Sequence, residues 1–299
     1  MEKRRAVLIT NPNAGRGGGR RAAAVENFRA RLARRGVGVE VWPTTGAGDA
    51  ARLAARAARE GFRELIVSGG DGTINEALQG LVGAGEVRLA VWPAGTANVL
   101  ARELRLPFDA DGAAEVCARG RTLRVAVGCA TEERSGARRY FILMAGIGLD
   151  ASVVERVRPR LKRRIGKAAF WYSGLGHLLS WTPEEFQIEV GGESYPATFA
   201  AIGNAPRYGG GLSVTPRARL DRPEFEVCII NSHSRLHYLY FLSHAMRGGM
   251  SEHATAARFI RTTRLRAAGH APVQVDGELI GHLPMTFEII PEHINIVVP

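Results

Sequence analysis

The run Ser68-Gly69-Gly70-Asp71-Gly72-Thr73-Ile74-Asn75-Glu76 sets three glycines and one carboxylate into five consecutive positions, 69–73. It lies between an apolar stretch, Glu64–Val67, and residues with helical spacing from Ala77 onward. Glycines at a strand-to-helix turn let backbone N–H groups come close to phosphate oxygens and point at them. An acid inside the same turn suits phosphate handled together with a metal ion. That is phosphoryl-transfer chemistry more than redox chemistry, and the first loop of the chain lacks the GxGxxG spacing of a dinucleotide fold. A single turn of this kind also serves tight packing alone. Three further polar loops follow apolar runs: Asn11-Pro12-Asn13-Ala14-Gly15-Arg16-Gly17, Trp42-Pro43-Thr44-Thr45-Gly46-Ala47-Gly48-Asp49 and Pro93-Ala94-Gly95-Thr96-Ala97-Asn98. All fall at the carboxyl ends of expected parallel strands, where open α/β sheets bind their ligands.

Phosphoryl transfer needs phosphates held, Mg²⁺ placed and an alcohol aligned and deprotonated. N–H groups around Gly69, Gly70 and Gly72 can hold phosphates, and Thr45, Thr73 and Thr96 can add hydroxyls. Asp71 can place a Mg²⁺–phosphate group through water, because Mg²⁺ gives up its water shell reluctantly; it can equally bond its own turn. Glu76 falls on the first helical turn, where it can simply favour the helix dipole. Asp276, in Val275-Asp276-Gly277-Glu278, has a setting equally suited to a plain hairpin turn.

The ordered series NPNAGRG, TTGAGDA, SGGDGTINEA and PAGTANVLARELRLP, then VDGE at Val275–Glu278, resembles the diacylglycerol kinase catalytic-domain family, to which bacterial soluble lipid kinases and sphingosine kinases are similar. The likeness runs from about Arg5 to Glu278, nearly the whole chain. The GGDGT core is shared more loosely with NAD kinases and phosphofructokinases; the asparagine-proline opening and the late DGE favour a lipid kinase. The resemblance implies ATP and Mg²⁺ as cofactors and transfer to a lipid hydroxyl, diacylglycerol to phosphatidic acid being the first expectation, within phospholipid biosynthesis. It implies a nucleotide site at Asn11, Thr45, Gly69, Gly70, Gly72, Thr73, Glu76, Gly95, Thr96 and Asn98, with Asp71 acting on the metal through water. Asp276 is implied as the general base, with Glu278 as helper or alternative. A sphingoid-base kinase, an NAD kinase and a non-catalytic nucleotide- or lipid-binding member remain alternatives.

Two departures from the family pattern bear on those alternatives. Val99 follows Asn98 where an acid is common, and the run Asp221-Arg222-Pro223-Glu224-Phe225-Glu226 has Arg222 where a structural Mg²⁺ site would have an acid. Asp221 and Glu226 are the residues left to that second ion site, which the arginine puts in doubt.

The elements that must position these groups follow from composition and pattern. At 299 residues, 45% hydrophobic and 23% charged, the chain suits two globular domains. No apolar run approaches the ~20 residues of a bilayer span, and the start lacks a signal-peptide pattern. Cys117, Cys129 and Cys228 form no CxxC pair and fit buried thiols in a reducing cytoplasm. A net charge of +11 favours nucleic acid, anionic membranes and nucleotides alike; with no nucleic-acid-binding signature, a nucleic-acid partner is not expected.

Strands are expected at Arg5–Thr10, Val37–Trp42, Glu64–Ser68 and Arg88–Trp92, alternating with helices at Gly18–Arg35, Asp49–Glu60, Asn75–Val82 and Thr96–Leu104, and one more at Asp109–Ala118. This order predicts an α/β domain with a doubly wound, mainly parallel sheet over 1–120. Residues 121–289 read as a mainly antiparallel β-sandwich for the lipid, with strands at Arg121–Cys129, Arg139–Ala145, Glu185–Val190, Tyr195–Gly203, Phe225–Ile230, Arg264–Ala268, Val273–Val275 and Thr286–Ile290, and helical insertions near 151–180 and 234–250. By resemblance, residues 290–299 return to the first domain through a strand at Ile294–Val298, and a nucleotide cleft lies between the two. Arg156–Lys167 holds seven basic residues in twelve positions, and Phe170, Trp171, Tyr172, Leu175, Leu178, Leu179 and Trp181 follow. That pairing suits an anionic membrane interface, or a solvated loop before a packed helix. The expected protein is cytoplasmic and peripheral to the membrane, with a homodimer as a further possibility.

Overall fold

The computed structural model describes residues 4–12, 14, 18–149, 151–152, 182–208, 211–248 and 257–299, with only the backbone described at 18–20. The basic segment 156–167, the aromatic positions 170–181 and parts of the first polar loop lie outside them. The chain divides into two compact units, Met1–Val125 with Glu292–Pro299, and Ala126–Pro291.

In the first unit the elements are β1 (Arg4–Thr10), α1 (Gly18–Arg34), β2 (Val37–Pro43), α2 (Asp49–Arg59), β3 (Glu64–Gly69), α3 (Asp71–Leu81), β4 (Arg88–Pro93), α4 (Val99–Glu103) and α5 (Ala110–Arg119). The strands lie in the order β2-β1-β3-β4, every pair parallel. Parallel strands need helical crossovers, which cover both faces, so their sequences are continuously apolar rather than alternating. Ala6–Ile9, Leu65–Val67 and Leu89–Trp92 are accordingly buried throughout. Helix α2 shows the complementary pattern, burying Ala50, Leu53, Ala54 and Ala57 at i, i+3, i+4 and i+7. Phe28 of α1 stacks on Trp92 of β4 with ring centroids 4.2 Å apart.

Two helix starts differ from expectation, each for a local reason. Helix α3 begins at Asp71, four residues before the expected Asn75, because extended Gly70 is already its N-cap. Helix α4 begins at Val99 instead of Thr96. The Asn98 side chain accepts from Gly95 N (2.9 Å) and donates to Gly95 O (2.8 Å), which holds 95–98 as a closed loop.

The second unit contains β5 (Thr122–Glu132, which begins in the first unit), β6 (Arg138–Phe141), β7 (Met144–Gly148), β8 (Phe186–Val190), β9 (Glu193–Ala197), β10 (Phe199–Gly203), β11 (Arg207–Tyr208), β12 (Leu212–Ser213), β13 (Phe225–Ile230), α6 (Arg235–Met246), β14 (Arg258–Thr262), β15 (Arg264–Ala268), β16 (Pro272–Val275), β17 (Glu278–His282) and β18 (Met285–Val297). An antiparallel sheet runs β14-β13-β10-β7-β16-β17, and β9, β8, β15 and the first part of β18 form a second antiparallel set. Phe141, Phe186, Phe225, Ile188, Val273 and Phe287 meet in one buried core.

Two expected strands are each two strands. Arg139–Ala145 breaks at Ile142-Leu143, whose amides are taken by the Asp276 carboxylate. Tyr195–Gly203 breaks at Thr198, after which β10 pairs with β7 and β13 while β9 pairs with β8. Conversely, the expected Thr286–Ile290 and Ile294–Val298 are one strand: β18 pairs with β15 at Met285–Glu288 and, inside the first unit, lies parallel to β4 at Asn295 and Ile296. No described helix is long and apolar enough to cross a membrane.

Candidate functional site

The polar loops of the first unit are stitched together where the parallel ladder ends. Asn11 N donates to Ser68 O (3.1 Å), Thr44 N to Thr10 O (2.9 Å) and Ala94 N to Gly69 O (2.9 Å). The loops after β1, β2, β3 and β4 therefore stand side by side at one edge of the sheet.

Gly70 and Gly95 explain why two of these loops approach so closely. A Cβ on Gly95 would stand 2.4 Å from Gly70 Cα, and one on Gly70 would stand 3.2 Å from Gly95 Cα. Neither glycine has a positive φ, so close backbone contact, not left-handed geometry, is what requires them. Gly69 is likewise faced by the Thr73 side chain, which an added Cβ would meet at 2.6 Å.

Asp71 is the first residue of α3, where the dipole and free N–H groups favour negative charge. One of its oxygens also accepts from Leu100 N across 3.4 Å, linking it to the start of α4. Thr96 and Gly72 are exposed, and Thr73 is half-buried.

Thr45 and Glu76 have structural tasks in the second loop. The Asp49 carboxylate accepts from Thr45 N (2.7 Å), Thr45 Oγ1 (2.5 Å) and Gly46 N (3.2 Å). The Thr45 hydroxyl, Arg52 and these amides hold that carboxyl well below the usual carboxylate range. Glu76 does favour a helix dipole, but that of α2 rather than its own: its two oxygens accept from Gly48 N (2.6 Å) and Ala50 N (3.0 Å). Glu76 thus fixes the loop carrying Thr45 to the helix that carries Asp71.

Sequence reasoning missed Arg21. Its guanidinium lies 4.8 Å from the Trp92 ring centre and donates to Ser68 Oγ (2.6 Å) and Ser68 O (3.3 Å). Burial lowers its pKa, and Arg21 Nε and Thr10 Oγ1 are both buried without a hydrogen-bond partner. A cation held against the residue that opens the Gly69-Gly70 turn adds positive potential at that turn. The only sequence signal was a basic pair, Arg20-Arg21, inside the expected helix Gly18–Arg35.

In the second unit Asp276 and Gly277, at φ 47° and 85°, form the two-residue turn between β16 and β17. The Asp276 side chain does more than shape that turn. Oδ2 accepts from Ile142 N (3.0 Å), and Oδ1 from Leu143 N (2.9 Å) and Met144 N (3.0 Å). Glu278 pairs with Arg139.

The second-ion residues do not fit a metal. Arg217 donates to Glu226 from Nε and from its backbone N, each at 2.7 Å, and Arg219 grips both oxygens of Asp221 at 3.0 and 2.9 Å. The Arg219 guanidinium holds the Asp221 carboxyl below its usual range. Both carboxylates are already paired with guanidinium groups. Among the described residues no three His, Cys, Asp or Glu side chains cluster as metal ligands.

Residues 5–130 match the diacylglycerol kinase catalytic domain, and residues 144–298 match the YegS C-terminal NAD kinase beta sandwich-like domain. A diacylglycerol kinase of Staphylococcus carnosus is 28% identical over 304 residues, covering 99% of this chain and 96% of that protein. One from Staphylococcus aureus strain MRSA252 is 28% identical over 302 residues, covering 99% and 93%. Among solved structures, a diacylglycerol kinase from Bacillus anthracis superposes with a TM-score of 0.75 at 20% identity, over 100% of this chain and 98% of that one. Yeast NADH kinase, solved with NADH, gives 0.58 at 14% identity over 100% and 84%. At these identities the structures speak to the fold alone. The two matched domains together span nearly the whole chain, and the protein belongs to the diacylglycerol kinase catalytic-domain family.

Proposed function

We propose that the protein is an ATP- and Mg²⁺-dependent kinase that phosphorylates a lipid hydroxyl, with diacylglycerol converted to phosphatidic acid. The observation that carries this reading is the sheet edge where the loops holding Asn11, Thr45, Gly70 and Thr96 stand together, with Asp71 opening α3 among them. Amides of the α3 first turn bind the nucleotide phosphates, and Arg21 reinforces the positive potential beside them. Asp49 and Glu76 are taken up by the second loop, and no three acids, His or Cys gather as ligands among the described residues, which fits a hydrated ion arriving on the nucleotide better than a resident one. When bound, Mg²⁺ neutralises charge on the terminal phosphates. Asp71 orients that hydrated group.

Asp276 is the general base in this reading. The lipid oxygen forms its bond to the γ-phosphorus as the bond to the ADP oxygen breaks, and the hydroxyl proton passes to the Asp276 carboxylate. Such a base contributes roughly 10²–10⁴ in rate. The three amides that Asp276 accepts from fix its position, and Glu278 stands beside it on β17. The enzyme works in the cytoplasm at an anionic membrane surface, as a monomer or homodimer. An NAD kinase is the second reading, favoured by the fold likeness to yeast NADH kinase.

ADP release measured with and without dispersed diacylglycerol tests the proposal. Lipid-stimulated release is expected from the wild type, with a fall of roughly 100-fold or more in Asp71→Asn and in Asp276→Asn at unchanged ATP affinity for the latter. Release stimulated by NAD but by no lipid would replace the leading reading with the second.

A further inference from the structure

Helix α6 is apolar on nearly every side, yet only one side is packed. Tyr238, Phe241 and Ala245 face inward and are buried. Tyr238 Oη lies 2.6 Å from Thr198 Oγ1, and Phe241 packs its ring 5.7 Å from that of Phe199. These anchors fix the rotation of the helix. At 100° per residue the outward strip is then Leu236, Tyr240, Ser243 and Arg247, flanked by Leu239 and Met246. Leu236 is 76% exposed, Tyr240 49% and Met246 60%, three of the five large exposed apolar side chains among the described residues. A core helix places such residues inward, so their concentration on one outward face asks for an occupant.

Charge identifies the occupant. From Asn231 to Ser251 the sequence has no Asp or Glu, while Arg235 and Arg247 stand at the two ends of the helix and are exposed. Glu185, paired with His233 at 2.8 Å just before the helix, is the nearby acid, and the outward face itself carries apolar and aromatic side chains between two arginines, which matches the boundary between acyl chains and anionic headgroups. Tyr240 suits that level in particular, with an apolar ring and a polar tip. At twelve residues α6 is too short to span a bilayer and long enough to lie along its surface.

We propose that the outward face of α6, centred on Leu236 and Tyr240, docks the protein on an anionic membrane surface; this rests on the reading that the substrate is a membrane lipid. Leu236 and Tyr240 enter the headgroup boundary, and Arg235 and Arg247 meet anionic lipid.

Sedimentation of the full chain with phosphatidylcholine vesicles, plain or containing phosphatidylglycerol, tests it, using wild type and the double variant Leu236→Ser, Tyr240→Ser. The wild type should bind phosphatidylglycerol vesicles and lose binding as salt rises. The variant should partition roughly 30-fold more weakly, with an unchanged melting temperature and unchanged turnover of a short-chain, micelle-dispersed diacylglycerol. Wild type that ignores both vesicles would overturn the membrane reading itself. Wild type and variant that bind equally would overturn the assignment to α6 and leave that reading standing. A wild-type dimer that the variant converts to monomer, without change in vesicle binding, would make this face a contact between copies and overturn the proposal.

Discussion

Gly95→Ala tests whether the nucleotide edge depends on two loops in direct backbone contact. The added carbon would stand 2.4 Å from Gly70 Cα, 3.3 Å from Gly70 N and 2.8 Å from Asn98 Oδ1. Ordinary contact begins near 3.4 Å, so the two loops must part by about 1 Å, and the obstacle is backbone that no rotamer change can move. Overpacking of this kind costs about 1–3 kcal/mol, a fall of roughly 3–10 °C in melting temperature for a domain of this size. A displacement of about 1 Å between Asp71 and the Thr96 loop should lower turnover on the order of 10²-fold. Thermal unfolding and initial rates would be compared with Gly38→Ala, where the added carbon meets only Arg4 O at an ordinary 3.7 Å. Gly38→Ala should leave both unchanged. A Gly95→Ala protein with wild-type melting and wild-type rate would refute the close-contact account.

Glu76→Gln can accept only one of the two α2 amides well, so its melting temperature should fall by an amount equivalent to about 1–3 kcal/mol, whereas the nearly isosteric Asp71→Asn should keep stability and lose turnover; equal melting of the two would remove the capping role of Glu76. Arg217→Met leaves Glu226, 1% exposed, with a buried charge and only a backbone partner, for a loss of about 2 kcal/mol, below that of a fully buried pair because Arg217 is itself 37% exposed. Adding a chelator or Mg²⁺ to the nucleotide-free wild type should not shift its melting temperature, and a Mg²⁺-dependent rise would show a second ion site after all. Asp49, Glu133 and Asp221 are held below their ordinary values by Thr45, Arg266 and Arg219 respectively. Each such carboxyl contributes stability that is complete above its unfolded value, near 4, and is lost as pH falls through the lowered folded value. Unfolding midpoints should therefore begin to drop as pH falls past about 4 and keep dropping toward about pH 2, and a flat profile over that range would contradict these pairings.

The parallel part of the fold was legible because its signals are local. Continuous apolar runs at Ala6–Ile9, Leu65–Val67 and Leu89–Val91 are short enough for doubly covered strands, and each ends within two residues of a glycine, proline or threonine. The antiparallel part was harder to read because side chains distant in sequence decide where strands break. Asp276 interrupts the β6–β7 stretch from more than a hundred residues away, and nothing near Ile142-Leu143 announces it. Likewise the three-residue link between the two expected C-terminal strands carries Pro291 and Glu292, which read as a stop, yet β18 runs straight through. At the edge of the first unit the glycine turns stood out, but their reason did not. Gly70 and Gly95 are required by each other, a contact between segments 25 residues apart. Glu76 was noticed for its place on a helix, while its partner is the next helix over. Arg21 was hidden in an arginine-rich sequence where one half-buried cation looks like any other.

The most direct test of the central claim is product identification after incubating the purified full chain with γ-labelled ATP, Mg²⁺ and, separately, diacylglycerol, sphingosine, ceramide and NAD. The account predicts label in phosphatidic acid from the diacylglycerol reaction, absent when Asp71→Asn replaces the wild type. Label in NAD with none in any lipid, or ATP binding with no labelled product from any of the four acceptors, would contradict it.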